Sequence, residues 1–280
     1  SEMCIRDRIY AVHLTPHGAS YVATHEEFAW AKPLGVTDAV IGDDGALYFT
    51  VGGRGTQSAL YRVSYAGDEP VETAPLVALA PDDATARATR RALERFHGRR
   101  DASAIDEAWP HLGSADRHVR FAARLAVEAQ LVGGWRRRAL AETAPRAALT
   151  ALIALARQGT PEDLGGTLEA LGRLQLEALS VPELLTALRA YALVFIRLGT
   201  PDDDTRARLA ARFDALYPGP FRDVNRELAA LLTHLGAPSV VEKSLALMAN
   251  EGQAPLPAWA QLLERNDSYG GPIAKMLADM

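Results

Sequence analysis

The hydrophobic pattern changes period once along the chain. Between Ile9 and Tyr65 apolar and polar residues alternate in short runs, the period of half-buried strands. Ile9-Tyr10-Ala11-Val12-His13-Leu14 reads as a strand, and Pro16-His17-Gly18 supplies a turn. Ser20 to Trp30 forms a second strand with Tyr21, Val22, Phe28 and Trp30 as its bulky positions, and Val36 to Ile41 a third. Asp43-Asp44-Gly45 offers the positive φ of a tight hairpin, after which Ala46 to Val51 returns. Gly52-Gly53-Arg54-Gly55-Thr56-Gln57-Ser58 reads as a loop leading to a last strand, Leu60 to Tyr65.

Beyond a Pro/Ala-rich linker at 66–83 the period becomes that of helices. Leu184, Leu188, Tyr191, Phe195 and Leu198 fall on one stripe of a helix that Ser180-Val181-Pro182-Glu183 starts. Phe221 to Leu235 gives another helix, with Val224, Leu228, Leu231 and Leu235 inward. Helix boundaries recur at Gly113, Gly159, Gly199 and Gly236, spaced 46, 40 and 37 residues apart. At each, Gly is expected to end one helix in the left-handed conformation. Ser or Thr, where present, would cap the next, and Pro takes its first position in three. A period near 40 with two helices per unit is the size of a HEAT or armadillo repeat. A start at Gly271-Pro272 is the last helix in the reading.

Charge changes the picture little. The 280 residues carry a formal net charge of -5, but residues 81–280 hold 25 basic and 25 acidic side chains. A neutral helical half lacks the basic face that nucleic acid requires. No apolar run approaches the ~20 residues of a membrane span. Basic residues are 27 Arg to 3 Lys, a bias read as genomic rather than chemical. Ser1 to Arg8, which holds the one cysteine, Cys4, has neither period and reads as an adapter-derived artefact. A helix that stops two turns after it starts suggests a fragment.

The pattern TDAVIGDDGALYFTVGG...LYRVSY resembles the last blades of six-bladed propellers of the glucose/sorbosone dehydrogenase type. More closely, Ile9 to Tyr65 is similar to the propeller end of large secreted bacterial proteins of the membrane-bound dehydrogenase type. Those continue into HEAT-type helices and a c-type cytochrome domain. Asp116-Arg117-His118-Val119-Arg120-Phe121-Ala122-Ala123 resembles the HEAT motif, an Asp and a Val-Arg pair ahead of small residues. The expected fold is therefore α+β and multidomain. It comprises a partial β-propeller of one to two blades at 9–65, a linker at 66–83 and an α-solenoid of HEAT-like helix pairs at 84–280. The resemblance also implies a periplasmic or secreted parent.

The candidate chemistry is sparse. Gly52-Gly53-Arg54-Gly55 hints at phosphate binding, but a strand follows it and no G-K-[ST] is present. Arg54 and Gln57 are candidates to face a ligand in the propeller channel. Asp38 joins them, either as a base or as a partner of backbone groups near a strand end. His13, His17 and His25 come close in sequence but lack ligand spacing, and no metal site is expected. Asp202-Asp203-Asp204 reads as a helix start, Arg136-Arg137-Arg138 as a solvated face, and Asn225-Arg226-Glu227 as groove-lining or helix-pairing residues. Two functions follow. The first is a non-catalytic helical-repeat scaffold that binds proteins or adjacent domains of its parent. The alternative is part of a dehydrogenase-like redox protein passing electrons to a haem c in a domain absent from this chain, with no cofactor in the chain itself.

Overall fold

The computed structural model describes residues 8–31, 34–53, 56–69 and 78–250. They fall into two compact units: the strands lie in the first except for the ends of the first two at Pro16–His17 and Ser20, while Pro16–Ser20 and Leu79–Gly252 make up the second.

In the first unit, β1 (Arg8–His17) and β2 (Ser20–Trp30) pair as a two-stranded sheet. A separate antiparallel sheet has the order β3 (Val36–Ile41), β4 (Leu47–Gly53), β5 (Thr56–Val63). Register runs from Ile41 opposite Leu47 to Val36 opposite Val51, and from Leu47 opposite Val63 to Gly53 opposite Thr56. The Asp-Asp-Gly turn forms as its residues dictate. Gly45 takes φ 75°, and its N–H donates to the Gly42 carbonyl at 2.9 Å. The Asp44 carboxylate accepts from the Ala46 N–H at 3.1 Å, the Tyr48 hydroxyl at 2.9 Å and the Arg62 guanidinium at 2.9 Å. Phe49 is buried and stacks on Tyr61, directly opposite on β5, with ring centroids 5.1 Å apart.

These sheets correct the propeller expectation. A blade is a four-stranded sheet set around a channel. Here the strands form one ladder of two and one of three, and neither closes. Strand positions and turns are local properties that alternation and glycines encode. Blade assembly needs burial of both faces by neighbours, and β2 is exposed along almost its whole length. The chain is a pair of small antiparallel sheets followed by a helical region. Arg8, set aside with the N-terminal run, begins β1; Ser1 to Asp7 lie outside the described residues.

The second unit contains, among the described residues, ten α-helices. They are α1 (Pro81–Glu94), α2 (Ala104–Ala108), α3 (Arg117–Glu128), α4 (Arg136–Ala141), α5 (Pro145–Gln158), α6 (Leu164–Gly172), α7 (Val181–Arg197), α8 (Asp203–Asp214), α9 (Arg222–Leu235) and α10 (Ser239–Asn250). The expected start near Gly271 lies outside the described residues. From α1 to α9, each odd-numbered helix packs against the next odd-numbered one, and the shorter even-numbered helices lie between them in sequence. Alanine permits this close stacking: Ala122, Ala123 and Ala126 on α3 and Ala148, Ala151 and Ala154 on α5 are all buried. On α7, Leu188 and Tyr191 are fully buried, Phe195 and the C-cap residue Leu198 nearly so, and Leu184 packs at the margin of the same core. Val224, Leu228, Leu231 and Leu235 of α9 join that core.

At the Gly159 boundary the expected Thr160 forms a capping box with Asp163, while acids serve at two others. Asp116 caps α3 through the His118 and Val119 N–H groups, and Asp202 caps α8 through Thr205. Ser180 and Glu183 form the capping box of α7. Of the four boundary glycines, Gly236 (φ 72°) and Gly199 (φ 120°) take positive φ, whereas Gly159 is extended at φ -76° and ψ -177°. Gly113 is not among the residues with positive φ.

Arginine does chemistry that the genomic reading overlooked. Arg173 donates to the Leu140 carbonyl, Arg197 to the Arg157 carbonyl at 3.2 Å, and Arg212 to the Gly172 carbonyl at 3.2 Å and the Leu174 carbonyl. Each acceptor lies at or just past a helix end, where carbonyls lack partners in their own helix. A guanidinium, with five donors in a planar fork, meets that need better than an ammonium.

Candidate functional site

A concavity of the second unit lies between α6 and α8. It encloses about 770 Å³. Leu168 of α6 and Leu209 of α8 are buried at its floor, and Leu164 is partly exposed beside them. Gly165 and Gly172, both lining it, leave two positions of the α6 wall without side chains, and nothing lies within 4 Å of where either Cβ would stand. Glu169 on α6 and Arg208 on α8 are both exposed, and Asp202 and Arg212 also line the cleft, so it carries two acids and two arginines.

The sequence folds this way locally for identifiable reasons. Asp163, 4% exposed, accepts from the Thr160 N–H at 2.9 Å and pairs with Arg136 at 2.7 Å, fixing the chain as it enters α6. Across the cleft, Asp202 accepts from the Thr205 N–H at 2.8 Å and its hydroxyl at 3.1 Å. Arg212 donates to the Tyr191 hydroxyl at 3.1 Å besides its carbonyl partners, anchoring α8 on α7. Burial pushes the Tyr191 phenol up to about 12, against the opposing pull of Arg212, so this hydroxyl stays protonated.

A second, smaller hollow of about 340 Å³ lies between α7 and α9, lined by Leu185, Arg189, Asp223, Arg226 and Glu227. Arg226 sits 3.6 Å from both Asp223 and Glu227. Asn225, expected beside them, is buried and turned elsewhere. Its Oδ1 accepts from the Gly219 N–H at 2.7 Å and its Nδ2 donates to the Gly219 carbonyl at 2.8 Å.

The residues singled out by sequence do not converge. Arg54 lies outside the described residues. The surrounding glycine-rich stretch is mostly strand, since β4 extends to Gly53 and β5 begins at Thr56. Gln57 is exposed on β5, and Asp38 is exposed on β3, opposite Thr50. The two strands flank β4, so these side chains stand on the two edges of the sheet and out of register, Asp38 being level with Leu60 rather than Gln57. Asp38 accepts from the Ala39 N–H at 2.8 Å, the backbone role among its two readings.

The histidines go to separate partners. His13 meets Glu26 at 3.0 Å, and His25 packs edge-on against Tyr10. No group of three potential metal ligands gathers among the described residues. The Arg136–Arg138 run is not simply solvated: Arg136 holds Asp163, and Arg138 pairs with Asp106 at 2.8 Å and lies 4.5 Å over the Trp109 ring.

Sequence reasoning missed the α6–α8 cleft and a cluster formed by Asp83, Arg87 and Asp116. Glu169 and Arg208 stand 39 positions apart, near the glycine period, and that spacing was the available signal. The class these features define is a stacked helical array carrying a small β unit. Comparison with protein-family models, curated proteins and solved structures finds no match for the chain. Among the described residues, no helix is long and apolar enough to cross a membrane.

Proposed function

We propose that the helical unit is a non-catalytic scaffold and protein-interaction module that holds a polypeptide segment in the cleft between α6 and α8. The carrying observation is the cleft's make-up: an apolar floor at Leu168 and Leu209, two glycines in its α6 wall, and opposite charges at Glu169 and Arg208 on its rim. An apolar floor supplies the desolvation that drives binding, and glycines let a partner's main chain approach. The paired charges favour a segment that presents an acid and a base on either side of an apolar anchor. The neutral charge balance of residues 81–280 fits a polypeptide rather than a polyanion.

The redox alternative drew on propeller blades, and the two small sheets remove that support.

The test is selection from a displayed library of random twelve-residue peptides on the whole chain, followed by binding of the enriched peptides to two variants. Gly165→Trp fills the cleft from an exposed helix position with open space around it, and Arg208→Glu reverses one rim charge. Peptides enriched on the parent are expected to lose at least tenfold in affinity for both. Peptides that bind parent and variants alike, or no enrichment at all, would remove this reading.

A further inference from the structure

The turn joining β1 to β2 is held by its main chain. The Gly18 N–H donates to Asp83 Oδ1, the Ala19 N–H to Asp116 Oδ2, and Arg87 Nη2 to the Ser20 carbonyl, each at 2.6 Å. Ala19 is fully buried in a core that includes Leu93, Phe96 and Val119. Pro16–Ser20 accordingly groups with the helices.

The geometry specifies a ligand. Two successive N–H donors meet two carboxylates, and the carbonyl that follows meets a guanidinium, so the polar contacts read main chain alone. Gly18 has φ 54°, and a Cβ there would stand 2.2 Å from Asp116 Oδ2, so the first position admits only glycine. The buried second position admits a methyl and little more.

The receptor is rigid. Oδ1 of Asp116 accepts from the His118 N–H at 2.8 Å and the Val119 N–H at 3.1 Å, which locks the carboxylate that Oδ2 presents to Ala19. Asp83 lies in the first turn of α1, whose cap makes no use of its side chain. Such preorganisation lowers the ordering cost of binding.

We infer that Asp83, Arg87 and Asp116 form a recognition site for a Gly-Ala β-turn, filled here by the chain's own His17–Ser20. When that resident is evicted, the site takes the same turn from another polypeptide. This is independent of the α6–α8 cleft and stands or falls separately.

Two measurements on the whole chain test it. In Asp83→Asn, hydrogen exchange at the Gly18 and Ala19 amides is expected to accelerate about tenfold, the loss of one charge-assisted hydrogen bond, with α7 unchanged. Gly18→Ala evicts the resident turn and opens the site. A blocked nine-residue peptide with the sequence of Leu14 to Val22 is then added at millimolar concentration. Its glycine and alanine amide protons are expected to shift downfield saturably with the Gly18→Ala chain. They should not shift when Asp83→Asn and Asp116→Asn are added; asparagine keeps the α3 cap while removing the charge. Unchanged turn exchange in Asp83→Asn, or a peptide that binds both evicted chains alike or neither, overturns the assignment.

Discussion

Arg157 Nε lies 3.0 Å from Oε1 of Glu128 and 3.2 Å from Oε2, joining the C-terminal ends of α5 and α3. The Glu128 side chain is 5% exposed, and Arg124, one turn back, also reaches it at 3.2 Å. The Arg157 carbonyl in turn accepts from Arg197 at the end of α7. One line of arginines and an acid therefore runs across three stacked helices, each link satisfying what its neighbour leaves open.

Removing the acid leaves Arg124, 17% exposed, without its buried partner. Glu128→Ala is expected to destabilise the helical unit by about 3 kcal/mol, the cost of breaking a buried pair from one side. Arg157→Met, at a side chain 45% exposed, should cost less than 1 kcal/mol. Urea unfolding of both variants, with the double substitution to close the cycle, checks the ranking.

The α7 stripe gives a sharper contrast on a single helix. Leu188→Asp places an unpaired charge in a fully buried position and is expected to cost several kcal/mol, enough to unfold the array. Ile196→Asp, at a residue 70% exposed, should change stability by no more than about 0.5 kcal/mol. Circular dichroism melts of the two variants decide it, and equal melts would refute the stripe.

Glycines of one type should respond with opposite signs. Gly236 ends α9 in the left-handed conformation, with its N–H on the Leu232 and Thr233 carbonyls. Gly236→Ala is expected to cost about 1 kcal/mol. Gly165 sits inside α6 with open space where its Cβ would be, so Gly165→Ala should stabilise by about 0.5–1 kcal/mol. Thermal melts of the pair measure both signs together.

Much of this was legible where the information is local. The alternation of Val36 to Ile41 and the Asp44-Gly45 turn located β3 and its hairpin, and the Ser180 and Glu183 pair located the start of α7. The contacts that matter for a site were not legible, because they join distant positions. Ala19 meets Asp116 across 97 residues and Gly18 meets Asp83 across 65, and nothing about either acid in its own helix announces a β-turn partner. The propeller inference failed for the same reason. Strands with blade-like turns do not specify what pairs beyond the third strand. Alternation in β2 reads as half burial, yet Phe28 is 52% and Trp30 64% exposed.

Acid should act on the hairpin of the three-stranded sheet through Asp44. Hydrogen bonds from Arg62 foremost, then from Tyr48 and the Ala46 N–H, hold the Asp44 carboxyl down at about 2, below its ordinary 3.8. A carboxyl lowered on folding binds its proton more readily in the unfolded chain. Its contribution to stability is therefore complete above the ordinary value and lost as pH falls through about 2. Between pH 4 and pH 2 the β3–β4 hairpin is expected to loosen progressively, with the Tyr48 hydroxyl and Arg62 Nε signals following the Asp44 carboxyl in one titration. In Arg62→Gln the same titration should move up toward 3.8, since the largest cause of the shift is gone. An Asp44 midpoint that stays near 2 in that variant would place the cause elsewhere in the turn.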